Sequence, residues 1–149
     1  MTYYAFIQNN KIDGKGQCQN LTEGFENIEI TEEIYDSLDH YIYANGQIVL
    51  NPNYEEEQAE KERERIGELQ ITKRVFMLGL QQLGLTYTQL KELIATNEQA
   101  QMEWDLCVEL QRKNPLLDLM ASQLGVSSQM LDYIFQKANG EDVNPPTEE

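Results

Sequence analysis

The chain has 149 residues, 40% of them hydrophobic and 25% charged, enough for one good core or two small ones. No apolar run approaches the roughly 20 residues that cross a bilayer, so no membrane span is expected. With 26 Asp and Glu against 11 Lys and Arg, the net charge is −15, which repels nucleic acid and anionic membrane at long range.

The opening MTYYAFIQNN has neither a basic start nor an apolar stretch of signal-peptide type, and no secretion signal is expected. YYAFIQNN alternates weakly and ends in an Asn-Asn turn, KIDGKGQ is turn-rich, and NIEI alternates polar and apolar. Thr31 is placed to cap a short helix with acids in its first turn, where the helix dipole favours them. Asn45-Gly46 then stands between two apolar alternating runs. Both residues tolerate positive φ, which makes this the strongest hairpin signal in the chain. Residues 1–53 therefore read as a small α+β unit rich in short strands.

Residues 54–71 read as a charged linker helix whose Glu-to-Lys/Arg spacings give i,i+4 pairs. Its apolar positions are sparse. It is either a solvated spacer or, through Ala59 and Ile66 one heptad apart, a helix that pairs with a sister chain or a partner.

Residues 72–139 read as a bundle of about five short helices. Thr72 caps the first and Gly84 ends it, and Thr86 with Gln89 forms a capping box on the second. Asn97 caps a third, expected to run to Lys113 with an apolar face of Met102, Trp104, Leu106, Val108 and Leu110. Pro115 suits the first position of the fourth, Gly125 a left-handed stop, and Ser127 the cap of the last. Phe76, Leu80, Leu90, Ile94, Trp104, Leu116, Leu119, Leu124, Leu131 and Phe135 are the expected core of this bundle. For Trp104 and Phe135 an interface role stands beside the core one. Residues 140–149, acidic and proline-rich, are expected to be a disordered tail.

Little in the chain carries chemistry. Cys18 and Cys107 form no CxxC and read as reduced, buried or half-buried thiols. His40, the single histidine, has no Cys/His cluster and no nucleophile set beside it, so neither a metal site nor hydrolytic catalysis is expected. Phosphate-loop, dinucleotide and EF-hand patterns are absent, and no cofactor is expected. The stretch MASQLGVSSQMLDYIF, Met120 to Phe135, has the layout of a DNA-reading helix-turn-helix. Its second helix offers one cation, Lys137, beside Asp132, and its partner helix carries Asp118 and no base. Base readout needs cations around the reading residues, so the stretch is read as helix packing.

The helical half resembles a module in small proteins encoded among the tail and tail-fibre genes of tailed phages and prophages. The resemblance rests on Lys73-Arg74 opening a helix, an LGLT break, and Ala100 with Trp104. It continues through Arg112 before Asn114-Pro115, Leu124-Gly125 and the final LDYIF, Leu131 to Phe135. The first half, ITEEIYDSLDHYIYANGQIVLNPNYEEE, is similar in layout to tail-fibre assembly chaperones. The resemblance implies a non-enzymatic binding protein, either a fibre-assembly chaperone or a small tail or baseplate component. Its partner would be a tail-fibre or tail/baseplate protein, with homo-oligomer formation open. It would act in the host bacterial cytoplasm during assembly or in the virion tail. The expected partner-binding residues are Tyr3, Tyr4, Phe6, Tyr41 and Tyr43, aromatics on a sheet too small to bury both faces, for each of which core packing is the competing role. The alternative is an acidic inhibitor of a host defence or nucleic-acid-binding protein, which would need carboxylates spread over one folded face. Residues 71–139 carry six basic against seven acidic side chains, which disfavours it.

Overall fold

A computed structural model describes residues 1–147; Glu148 and Glu149, the end of the expected disordered tail, lie outside the described residues. The fold is α+β, with strands gathered in the N-terminal half and helices in the C-terminal half. Two compact units are present, Met1–Gln58 and the remainder from Ala59 onward.

In the first unit, β1 (Tyr3–Gln8) is the middle strand of an antiparallel sheet, flanked by β2 (Lys11–Gly16) and β3 (Glu26–Ile30). Asn9 and Asn10 turn the chain from β1 to β2 with φ of 51° and 61°, the left-handed region that Asn tolerates. After β3, Thr31 caps α1 (Glu32–Asp36) through its hydroxyl, which accepts from the Ile34 amide. A 3₁₀ turn at Leu38–His40 leads to β4 (Tyr41–Ala44) and β5 (Gln47–Leu50), a separate two-stranded hairpin. Asn45 and Gly46 form its turn with φ of 52° and 79°. Ala5, Ile7, Ile30 and Leu38 make the core, and Tyr3, Ile12, Ile28, Ile34, Tyr35, Tyr41, Tyr43 and Ile48 lean on it half-buried.

The charged helix α2 (Tyr54–Gly67) buries none of its side chains. It ends four residues before the reach expected from sequence, because Gln70–Thr72 is a strand, β6. Its partner is β7 (Glu109–Gln111), paired antiparallel with Ile71 opposite Leu110, both buried. Between them come α3 (Lys73–Gln82), α4 (Tyr87–Ala95) and α5 (Glu98–Leu106); α6 (Pro115–Gln123) and α7 (Ser128–Ala138) follow. Thr72, Thr86, Asn97, Asn114 and Ser127 each accept a backbone N–H at the start of their helix, and the Thr86–Gln89 capping box is complete.

The third helix of the bundle is therefore shorter than its apolar spacing implied. It stops at Leu106, and the chain straightens so that Arg112 N–H donates to the Leu69 carbonyl at 2.9 Å and Lys113 N–H to the Gly67 carbonyl at 3.0 Å. Met102, Leu106 and Leu110 share a helical period by coincidence: only Leu110 is buried, and it is buried as a strand residue. Leu106 and Val108 are 77% and 78% exposed.

The second core holds Phe76, Leu80, Leu90, Ile94, Leu117, Met120, Leu131, Ile134 and Phe135 among others, with Trp104 and Leu124 packed against it half-buried. Leu116 is half-buried as well, and Leu119, expected inside, is 46% exposed. On α6 the inward positions are Leu117, Met120 and Ala121, one step away from the expected Leu116 and Leu119. Gly79 of α3 lets α7 come close: a Cβ there would sit 2.8 Å from Ile134 Cγ2. The tail opens on a tied residue. Glu141 receives Arg65 Nη1 at 2.6 Å and Gln136 Nε2 at 3.0 Å.

Candidate interaction surfaces

The five aromatics singled out from sequence fall into two groups. Tyr3, Tyr41 and Tyr43 face the small core, while Tyr4 and Phe6 alternate to the other face of β1. Phe6 lies across β2, where a Cβ on Gly16 would approach its Cζ to 2.7 Å, so Gly16 makes room for the ring. β1 is hydrogen-bonded on both sides, so Tyr3, Tyr4 and Phe6 lie on a central strand and border no open edge.

Of the core-facing tyrosines, Tyr3 and Tyr43 place their hydroxyls on carboxylates, and Tyr54 of α2 does the same. Tyr3 donates to Glu32 at 2.7 Å, Tyr43 to Glu26 at 3.0 Å, and Tyr54 to Asp39 at 3.0 Å. For Tyr3 and Tyr43 the carboxylate bond is the main cause that pushes the phenol above its ordinary value; for Tyr54 desolvation leads, with Asp39 next.

The open edges of this unit differ in chemistry. β3 carries exposed Glu26 and Glu29 among its five residues, charges of the kind that discourage an incoming strand. β5 reads Gln47-Ile48-Val49-Leu50, without a charge, and Leu50 is 65% exposed with Val49 and Ile42 also at the surface. Around a two-residue hairpin turn the pairing alternates, so the Ala44–Gln47 and Ile42–Val49 pairs exchange hydrogen bonds. The backbone groups of Ile48 and Leu50 then point away from β4, and among the described residues no strand meets them.

In the second unit an ion cluster lies beneath the helix-turn-helix-like stretch. Arg112, only 6% exposed, donates from Nε to Asp132 at 2.6 Å, from Nη1 to Asp118 at 3.0 Å and from Nη2 to Ser128 Oγ at 2.7 Å. Ser128 Oγ also donates to Asp118 at 3.1 Å. The two aspartates that spoiled a DNA-reading surface thus hold the arginine that ties β7 to α6 and α7. Gly125, at φ 75°, ends α6, and Val126 N–H closes the turn on the Ala121 carbonyl at 2.8 Å. Asp118, Asp132 and Arg112 stand apart in the sequence, with no local pattern joining them. Their 20-residue span conceals a contact that only the β6–β7 pairing creates.

The same unit has an apolar pocket of about 330 Å³ between α5 and α6, with Trp104, Leu110, Leu117 and Met120 among its lining. Cys107 lines it too, half-buried; Cys18, expected to be at least half-buried, is exposed. His40 is exposed as well, its ring 4.1 Å from that of Tyr54 and its Nε2 3.7 Å from Asp39, with no nucleophile in contact. Among the described residues no group of His, Cys, Asp and Glu is arranged to hold a metal ion, and no helix is long and apolar enough to cross a membrane. The chain matches no family model, no curated protein and no solved structure.

Proposed function

We propose that this chain is a non-enzymatic binding protein of the phage-tail kind, an assembly chaperone or small tail component that takes a segment of a tail-fibre or tail/baseplate protein on the β5 edge. The observation that carries this is the uncharged outer edge of β5, with Ile42, Val49 and Leu50 exposed beside it. An edge of this kind accepts a strand by main-chain hydrogen bonds, while neighbouring side chains select the sequence. The outer edge of β3 carries two glutamates, which sets it apart from the uncharged strands of the β4–β5 hairpin. The layout shared with fibre-assembly chaperones over residues 30–57 supports the same reading and supplies the class of client.

Co-expression with the fibre gene adjacent to this chain's own gene tests it. The fibre is expected to be soluble and trimeric with the chain present and to aggregate without it. Val49→Lys should abolish the effect while leaving the protein's melting unchanged. A fibre that is equally soluble and trimeric alone, with the chain also absent from purified particles, refutes both the chaperone and the tail-component form.

A further inference from the structure

The pocket of the second unit is a separate site, and its walls describe an occupant. Along α5, Met102 and Leu106 stand four residues apart and both are exposed; along α6, Leu116 and Met120 repeat that spacing on the opposite wall. Trp104, Leu110 and Leu117 form the floor. Two helical ridges separated by an apolar cleft are the form that receives one face of a third helix. Met102 on the exposed ridge and Met120, buried in the other wall, carry flexible thioethers that adapt to irregular apolar shapes. At about 330 Å³ the cleft is at the small end of ligand-sized cavities, roughly 300–1,000 Å³, so one or two apolar side chains enter it and the rest of the occupant lies on the ridges.

The rim fixes the sign of the partner. Glu103 and Glu109 line the opening, and Asp105 is exposed on the same helix. Glu103 accepts from Asn114 Nδ2 at 3.1 Å, which leaves it at the mouth of the cleft. The nearby cation, Lys73, is already engaged: its Nζ donates to the Trp104 carbonyl at 2.6 Å and stands 5.5 Å from the indole centroid. An apolar cleft with Glu103 and Glu109 at its rim attracts a cationic apolar segment and repels an acidic one. We infer that the α5–α6 cleft binds an amphipathic helix of a partner protein, presenting Leu-, Ile- or Met-type side chains at i and i+4 and flanked by Lys or Arg.

Trp104 is the only tryptophan and lines the cleft, so its emission reports occupancy directly. The intact protein is titrated with a synthetic helix of leucine and lysine in amphipathic register, and with the same helix carrying glutamate for lysine. The lysine helix is expected to shift Trp104 emission saturably, and the glutamate helix to leave it unchanged. Met102→Asn with Leu106→Asn, both at exposed positions, should weaken binding at least tenfold with melting unchanged. Glu103→Gln with Glu109→Gln should weaken it at least threefold at low salt and less at high salt. Equal binding by the Met102/Leu106 variant, or no emission change at saturation, overturns the proposal. So does a dimer in sedimentation that Leu106→Asn abolishes, because the occupant would then be a second copy of the chain.

Discussion

The two units solve the burial problem differently. The first holds four buried core residues, ringed by half-buried side chains among which Tyr3 and Tyr43 end on carboxylates at the surface. The second holds thirteen, among them the five largest side chains sealed from solvent among the described residues, Phe135, Leu80, Leu90, Leu117 and Leu131, and adds a buried arginine with two aspartates. A sheet of three short strands has two faces and too little chain to cover both, so aromatic and aliphatic groups remain at its surface and edges. Helices of nine to eleven residues close on one another and leave apolar surface chiefly where α5 stops early.

The largest expected effect lies in the larger core. Phe135→Ala removes a ring with no exposure and should cost about 3–5 kcal/mol through lost burial and the cavity left behind. Calorimetry should show a lowered transition for the helical unit, while the tyrosine signals of the first unit melt as before. If both transitions fall together, the contrast between two cores fails.

Arg112→Ala comes next, at about 2–3 kcal/mol, since it strips hydrogen-bonded charge partners from Asp118 and Asp132. Both aspartates are partly exposed, which keeps the cost below that of a sealed pair. Chemical denaturation measures it, and a loss below about 0.5 kcal/mol would demote the cluster to surface decoration. Smaller still is Thr86→Ala, which removes the hydroxyl that accepts from the Gln89 amide at 3.2 Å and should cost about 1 kcal/mol in the same assay.

The finest contrast is in pH. Tyr3 and Tyr43 have phenols raised above the usual 10.0 by carboxylate hydrogen bonds, so each ionises less readily folded than unfolded. Their contribution is present through neutral pH and fades as pH climbs through the raised values. Glu62 and Glu141 are held below the usual carboxylate range chiefly by Arg65. Their contribution is present above that range and fades as pH falls through the lowered values. Alkali should therefore loosen the first unit first and acid the Arg65 contacts of the second, which tyrosine absorbance and helix circular dichroism separate. The reverse order contradicts the assignment.

Much of the fold was legible because its local signals are strong. Asn45-Gly46 named the hairpin, and Thr86 with Gln89, Asn114-Pro115 and Ser127 named helix starts by mechanisms that need no tertiary context. The β6–β7 pair was not legible. Its strands have three residues each and are separated by 36 residues, and Leu110 continued the Met102–Leu106 spacing well enough to imitate a helix. That one pairing decides what sequence could not: it exposes Leu106 and Val108, opens the cleft beside Trp104, and brings Arg112 between Asp118 and Asp132. Similarly, the aromatics of β1 and β4 suggested an exposed sheet, but which strand is central depends on the order β2-β1-β3, and the edge proposed to take a partner strand lies on β5, which carries no aromatic.

The β5 edge is tested most directly by amide hydrogen exchange on the intact chain, alone and co-purified with the proposed fibre partner. Free, the Ile48 and Leu50 amides should exchange quickly, because they point away from β4. In the complex both should become protected, while the β3 amides stay as they were. A complex that forms with Ile48 and Leu50 still exchanging at the free rate would contradict strand addition at this edge.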